Sequence, residues 1–445
     1  MLLVFVGFIG TRVIERYYSH TVEQENSRRD DAPSDTAITD VVVQEQEVES
    51  AEPAQVIRET QNDPLPDNFL DGYEDVMEIG SVITDFSDSR DTLVWKNRPL
   101  MVYYSIDPSL SRLGQTYMEN YRPRFGAIVL FQPRTGRVIA VNSYVNPDNP
   151  ESTGKLREPI YTNGRIPAAS IAKIITATAA VEVLGFSDNH ILQYTGDKHT
   201  LNEYQLLEDL TAGIDISLRR AFAESINPVF GTLGMFELGA NNLNKYAQNY
   251  GFNTTIPFIR EVDTSHYGYP QSPREIARAS SGFNYTNTLT AVHGAMIAGA
   301  VANKGTMIRP TMIDSIVDIH TGNNLYTRQG RYWRRAFMPD TYGSLNKMME
   351  DVSRYGTAKS AFKYVRNSPR FNDFHYGGKT GTLTMDDYGM VDWFVGYLAD
   401  QESVEQNIAC AVLLIKPPKW RGRSSFIGAE LMRRYIMDLQ ETSEE

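Results

Sequence analysis

Cysteine is almost absent: Cys410 stands alone in 445 residues, which excludes a disulfide within the chain. It falls in the apolar run Asn407-Ile408-Ala409-Cys410-Ala411-Val412-Leu413-Leu414-Ile415, so a buried, inert thiol on a strand is expected. Histidine is scarce as well. The seven histidines form neither an HExxH pattern nor a close pair, so no metal site and no other cofactor is expected. Basic patches are missing from a chain whose formal net charge is −12, which argues against a nucleic-acid partner. No internal repeat of useful length marks a solenoid or propeller. Long apolar runs are lacking at the N-terminus, where Met1 to Gly10 is apolar but Arg12 follows; a spanning helix needs about 20 residues. No basic stretch precedes this run, as a signal peptide would require. Aromatics are absent between Tyr18 and Phe69. Residues 21–60 hold 11 acidic and 3 basic side chains, so this segment cannot bury enough apolar area to fold and reads as a linker.

Three short motifs stand out against these absences. Ser170-Ile171-Ala172-Lys173 opens an apolar stretch that runs to Leu184, with Gly185 as its stop. On a helix, residues three apart are neighbours, so the Lys173 amine can reach the Ser170 hydroxyl. A helix apolar all round is buried, and a lysine one turn into it loses solvation and becomes a base. Ser225-Ile226-Asn227 follows the amphipathic stretch Ile216 to Glu224. Pro228 then restarts a second apolar helix, Val229 to Leu238, which ends at Gly239. Lys379-Thr380-Gly381-Thr382 lies in a strand, Tyr376 to Thr384, joined by a turn to a second strand, Val391 to Leu398. Its glycines suit close approach of a ligand to backbone, and its lysine and hydroxyls suit a carboxylate.

Each motif has an ordinary reading too: helix caps for the first two, a guarded sheet edge for the third. The chain also carries look-alikes. Ser152…Lys155 lies in a polar loop, and Ser344…Lys347 and Ser360…Lys363 fall too near Lys379. Ser187-Asp188-Asn189 reads as a turn and helix cap, and His320-Thr321-Gly322 as a turn. Order and spacing select the first set: Ser225 stands 55 residues after Ser170, and Lys379 stands 154 after Ser225.

In that order the SxxK, SxN and KTG motifs resemble those of the penicillin-binding protein transpeptidase family. The flanks are similar to it as well: Gly126–Phe131 with Arg137–Val141 as a first hairpin, Asn303-Lys304-Gly305 with Arg309-Pro310, Gly356-Thr357-Ala358, and Trp393-Phe394-Val395-Gly396-Tyr397. Pro167-Ala168-Ala169 replaces the family's usual Pro-Gly-Ser before the nucleophile, which leaves the subfamily open. The resemblance implies an α+β fold: a five-stranded, mainly antiparallel sheet with helices on both faces, plus an all-helical region. It also implies a Ser170 nucleophile, Lys173 as its base, Ser225 and Asn227 in proton transfer and positioning, and Lys379, Thr380, Gly381 and Thr382 at the substrate. The expected activity is D,D-transpeptidation of peptidoglycan stem peptides ending in D-Ala-D-Ala, with β-lactams acylating the same serine.

A D,D-carboxypeptidase or a β-lactamase would share these residues, and a penicillin sensor or scaffold is the non-enzyme alternative. The expected organisation is a partial membrane anchor at 1–20, an acidic linker at 21–68, a short lead-in at 69–97, the transpeptidase domain at 98–438 and a tail at 439–445. Such a chain would work on the extracytoplasmic side of the inner membrane, with a membrane glycan polymerase as a possible partner. The 97 residues before the domain leave no room for a polymerase of its own.

Overall fold

A computed structural model describes residues 70 to 444, apart from 71, 84–85, 87, 149–155, 209–211, 387 and 418–422. The expected anchor and linker, and all of Ser152…Lys155, lie outside the described residues. No helix among the described residues is long and apolar enough to cross a membrane.

Thirteen strands are described, in chain order: β1 (Arg90–Trp95), β2 (Arg98–Tyr104), β3 (Phe125–Phe131), β4 (Val138–Val145), β5 (Ile191–Tyr194), β6 (Ile214–Ser217), β7 (Thr306–Ile308), β8 (Ile313–Asp318), β9 (Asn324–Thr327), β10 (Tyr332–Arg335), β11 (Phe374–Met385), β12 (Gly389–Asp400) and β13 (Asn407–Lys416). The central sheet has the order β11-β12-β13-β3-β4, antiparallel throughout. All five strands expected from the sequence are in it, and β11, which carries Lys379, is an edge. Strands β3 and β13 are buried at every residue, the mark of a sheet covered on both faces. Two helices cover it. Gly294 of the helix Ala291–Ala302 lies against Val395 and Ala411, whereas Gly428 of the helix Ser424–Glu444 lies against Phe394 and Cys410. Successive strand residues face opposite ways, so the two helices sit on opposite faces. The fold is therefore the α+β arrangement expected, and Cys410 is fully buried with its thiol pKa pushed up by desolvation.

The helical region lies between β4 and β7. The expected helix from Ile171 begins as a 3-10 turn, Ala169–Ala172, and becomes α-helical at Lys173–Leu184; Gly185 then takes the left-handed conformation at φ 68°. The stretch from Ile216 begins as β6, whose Ser217 accepts from Arg220 N and starts the helix Leu218–Ala223. The next helix opens at Asn227 and widens into a π-helical segment, Leu233–Leu238, before Gly239 turns the chain at φ 71°. The look-alike motifs are structural. Ser187–His190 is a turn that leads into β5, and its carbonyls cap a helix: Asp188 O accepts from Arg219 N and His190 O from Leu218 N, both at 2.8 Å, at the start of the helix Leu218–Ala223. The Asp188 carboxylate is held 3.6 Å from both Arg219 and Lys347. At His320–Gly322 the turn is fixed by Thr321 N donating to Asp318 at 2.8 Å.

The lead-in before residue 98 holds a helix, Tyr73–Val82, and strand β1. Strand β1 pairs with β2, which in turn pairs with β8 more than 200 positions later, in a second sheet of order β1-β2-β8-β9.

Candidate active site

The segment before Ser170 is fixed from two sides. Trp393 Nε1 of β12 donates to Pro167 O at 2.8 Å, and Ala168 N donates to Asn287 O at 2.7 Å. Ala169 then takes φ 48°, an uncommon conformation for a residue with a Cβ, and this turns Ser170 toward the cleft. The close neighbour here is Gly282, itself at φ 69°; a Cβ on it would stand 2.0 Å from Ala169 O. The 3-10 turn places Ser170 one turn before Lys173, whose Nζ lies 3.0 Å from Ser170 Oγ.

Lys173 is fully buried. Its Nζ also contacts Asn227 Oδ1 at 2.7 Å and Ser281 O at 2.5 Å. Burial, and then repulsion from Lys379, hold its pKa well below the usual lysine value. The orientation of Asn227 is set independently, because its Nδ2 donates to His199 O at 2.8 Å. Its Oδ1 is therefore an acceptor facing Lys173. Two acceptors, Asn227 Oδ1 and Ser281 O, use the two hydrogens of a neutral amine and leave its lone pair for the Ser170 hydroxyl.

Ser225 sits at φ 59° between two helices, in a link held by Ser225 N to Phe222 O and Ile226 N to Ala221 O. Its Oγ accepts from Lys379 Nζ at 2.9 Å. Lys379 is completely buried behind Ser225, with a second bond to Thr380 O at 3.0 Å, and desolvation lowers its pKa to about 7. Lys173 stands over the ring of Phe230 and Lys379 over that of Phe222, two rings packed edge to face. Thr380 Oγ1 pairs with Thr357 Oγ1 at 2.5 Å. At Gly381 the strand runs against Ala168 and Ser170 N; a Cβ there would approach both at 3.2–3.3 Å.

Ser170, Ser225, Asn227, Thr380 and Thr382 thus border one cleft of about 790 Å³. Lys173 and Lys379 lie buried behind it, bonded to Ser170 and Ser225, and Gly381 packs beside Ser170 N. Two other contributors carried no recognised sequence signal: His199 and Ser281 act through backbone carbonyls. Thr357, from the Gly356-Thr357-Ala358 stretch already singled out in the sequence, adds a hydroxyl that pairs with Thr380. Asp392 borders the cleft beside Lys416, 2.6 Å away, with Ser424 bonded to it at 3.1 Å. No group of three or more metal-ligating side chains occurs among the described residues.

Known proteins are similar to this chain in sequence and fold. The peptidoglycan D,D-transpeptidase PbpA of Mycobacterium tuberculosis is 26% identical over 339 residues, which cover 70% of this chain and 67% of the relative. Its counterpart in Mycolicibacterium smegmatis is 25% identical over 376 residues, covering 78% and 72%. The crystal structure of the M. tuberculosis protein superposes with a TM-score of 0.60 at 23% identity, covering 76% of this chain and 80% of that one. A D,D-transpeptidase domain from Eggerthella lenta gives 0.59 at 20% identity, covering 82% and 87%. The penicillin-binding protein transpeptidase domain matches residues 126–436, the span that contains all three motifs and the whole central sheet. On that match the chain belongs to the penicillin-binding protein transpeptidase family.

Proposed function

We propose that this enzyme is a peptidoglycan D,D-transpeptidase that works through an acyl-enzyme on Ser170. The observation that carries the reading is the environment of Lys173: a buried amine with acceptors for two hydrogens and a serine hydroxyl oxygen 3.0 Å from its nitrogen. Lys173 takes the Ser170 proton as Oγ attacks the carbonyl carbon between two terminal D-alanines. The backbone N–H groups of Ser170 and Thr382 hold the resulting oxyanion. The proton then passes from Lys173 through the Ser225 hydroxyl to the departing nitrogen. The C–N bond breaks, D-alanine leaves, and the acyl group stays on Ser170. The hydroxyls of Thr380 and Thr382 bind the terminal carboxylate, and Lys379 supplies positive charge from behind Ser225. A carboxylate placed there raises the Lys379 pKa from about 7, so substrate binding itself charges that lysine. An amine from a second stem peptide attacks the ester and releases Ser170.

The similarity to proteins described as D,D-transpeptidases supports the transferase reading over hydrolysis. A related structure is described as a penicillin G acyl-enzyme complex of M. tuberculosis penicillin-binding protein A, and β-lactams are proposed to acylate Ser170 in the same way. The site would then work in the cell envelope, outside the cytoplasmic membrane. The test is intact-protein mass after incubation with benzylpenicillin. A long-lived adduct on the wild type and none on Ser170→Ala is expected. Equal labelling of both proteins would overturn the assignment of Ser170, and rapid consumption of drug without an adduct would make the enzyme a β-lactamase.

A further inference from the structure

The catalytic cleft opens at one end into a second cavity of about 350 Å³. Thr357 and Arg423 line both. The rest of the second cavity is strongly basic, with Lys359, Lys363 and Arg366 beside the hydroxyl of Ser360. Four cations converge there in a chain whose net charge is −12, so the cluster is no reflection of overall composition. Among the described residues no carboxylate lies within ion-pair distance of any of them. On one side of the stretch Glu350 is paired with Arg354 and Asp351 with Arg219, and on the other the exposed Asp373 makes no ion pair with any of the four cations. Arg366 is held in place by bonds to Ser353 O and Lys359 O, both at 3.2 Å. The cavity is thus a partly rigid anion site without an internal counter-ion.

Its position along the cleft says which anion. Ser170 meets β11 at Gly381, and the chain leads back through Thr380 to Thr357 and then into the basic cavity. In the reading above, Thr380 marks the end of the cleft that holds the departing D-alanine. Once that residue has left, the acceptor amine enters the same space, and whatever extends beyond it points into the basic cavity. We infer that the Lys359–Lys363–Arg366–Arg423 cavity binds a second, distal carboxylate of the acceptor stem peptide and so selects the amine that forms the cross-link. The inference rests on the transpeptidase reading. In the step concerned, the neutral acceptor nitrogen attacks the Ser170 ester carbon and the C–Oγ bond breaks. A proton from nitrogen then returns through Lys173 to Oγ.

The test uses the full chain and an ester donor that acylates Ser170. Two D-amino-acid acceptors are compared, one with a distal carboxylate and one with the matching carboxamide; the readout is the ratio of transfer to hydrolysis. The wild type is expected to favour the carboxylate by roughly tenfold, the range of a charge-assisted contact. Both lysines are exposed, so Lys359→Ala/Lys363→Ala is expected to fold and to react with penicillin normally while losing that preference. Lack of discrimination by the wild type, or equal loss with both acceptors in the variant, would overturn the inference. A slower donor acylation in the variant would assign the cavity to the donor instead. Failure to acylate Ser170 at all would remove the transpeptidase reading itself, a result separate from these.

Discussion

At the scale of single residues, the proposed chemistry depends on one amine being uncharged. A lysine in water is protonated at neutral pH; Lys173 has exchanged water for Asn227 Oδ1, Ser281 O and the Ser170 hydroxyl. The neighbouring positive charge of Lys379 pushes in the same direction as burial. Two substitutions separate charge from proton acceptance. Lys173→Met removes both. Lys173→Arg keeps a cation but cannot give up a proton. Both are expected to slow penicillin acylation by about 10²–10⁴-fold, the usual contribution of a positioned base, as measured by the rate of adduct formation. An arginine variant of near-normal rate would mean that Lys173 acts only as a positive charge. The sequence displays this pair because Ser170 and Lys173 lie within one helical turn. It does not display Ser281 or His199, whose side chains are irrelevant to their contacts. Nor does it display the left-handed conformations of Ala169 and Ser225, which the surrounding packing imposes on residues that do not favour them.

At the scale of elements, strand β12 ties the sheet to the segment that carries Ser170. Trp393 is fully buried, and its indole N–H ends on Pro167 O, three residues before Ser170. Trp393→Phe keeps most of the apolar packing and deletes that bond. The expected cost is about 1 kcal/mol of stability, plus a slower acylation, because the Pro167–Ala169 segment loses its anchor to the sheet. Chemical unfolding and penicillin labelling of the same variant measure the two effects. A loss of stability with unchanged labelling would show that the Ala168–Asn287 bond positions Ser170 without help. The hairpins β3–β4 and β11–β12 were legible because each strand and its turn are contiguous in sequence. The sheet joining β2 to β8 was not: its partners are separated by more than 200 residues, and short strands such as β1 carry little periodic signal.

At the scale of the whole molecule, the helix Ala291–Ala302 decides how the fold responds to acid. In the sequence His293 gives no hint of its surroundings. All twelve residues are buried, with β12 and β13 on one side. The His293 ring lies among Phe252 and Trp333, its Nε2 bonds Tyr250 O at 2.9 Å, and its Nδ1 has no hydrogen-bond partner. The charged group nearby is Arg334, which adds to the effect of burial. Together they lower the histidine pKa from 6.5 to about 4. The unfolded chain therefore takes up this proton first as pH falls. The contribution to stability is complete above 6.5, declines between 6.5 and about 4, and does not change further below that. Between pH 7 and pH 5 the loss is about 2 kcal/mol, at 1.36 kcal/mol per unit below 6.5. Urea unfolding at the two pH values, for wild type and His293→Gln, isolates the term. The variant is expected to be less stable at pH 7 but to lose about 2 kcal/mol less on acidification. Parallel losses in the two proteins would place the acid sensitivity in other groups.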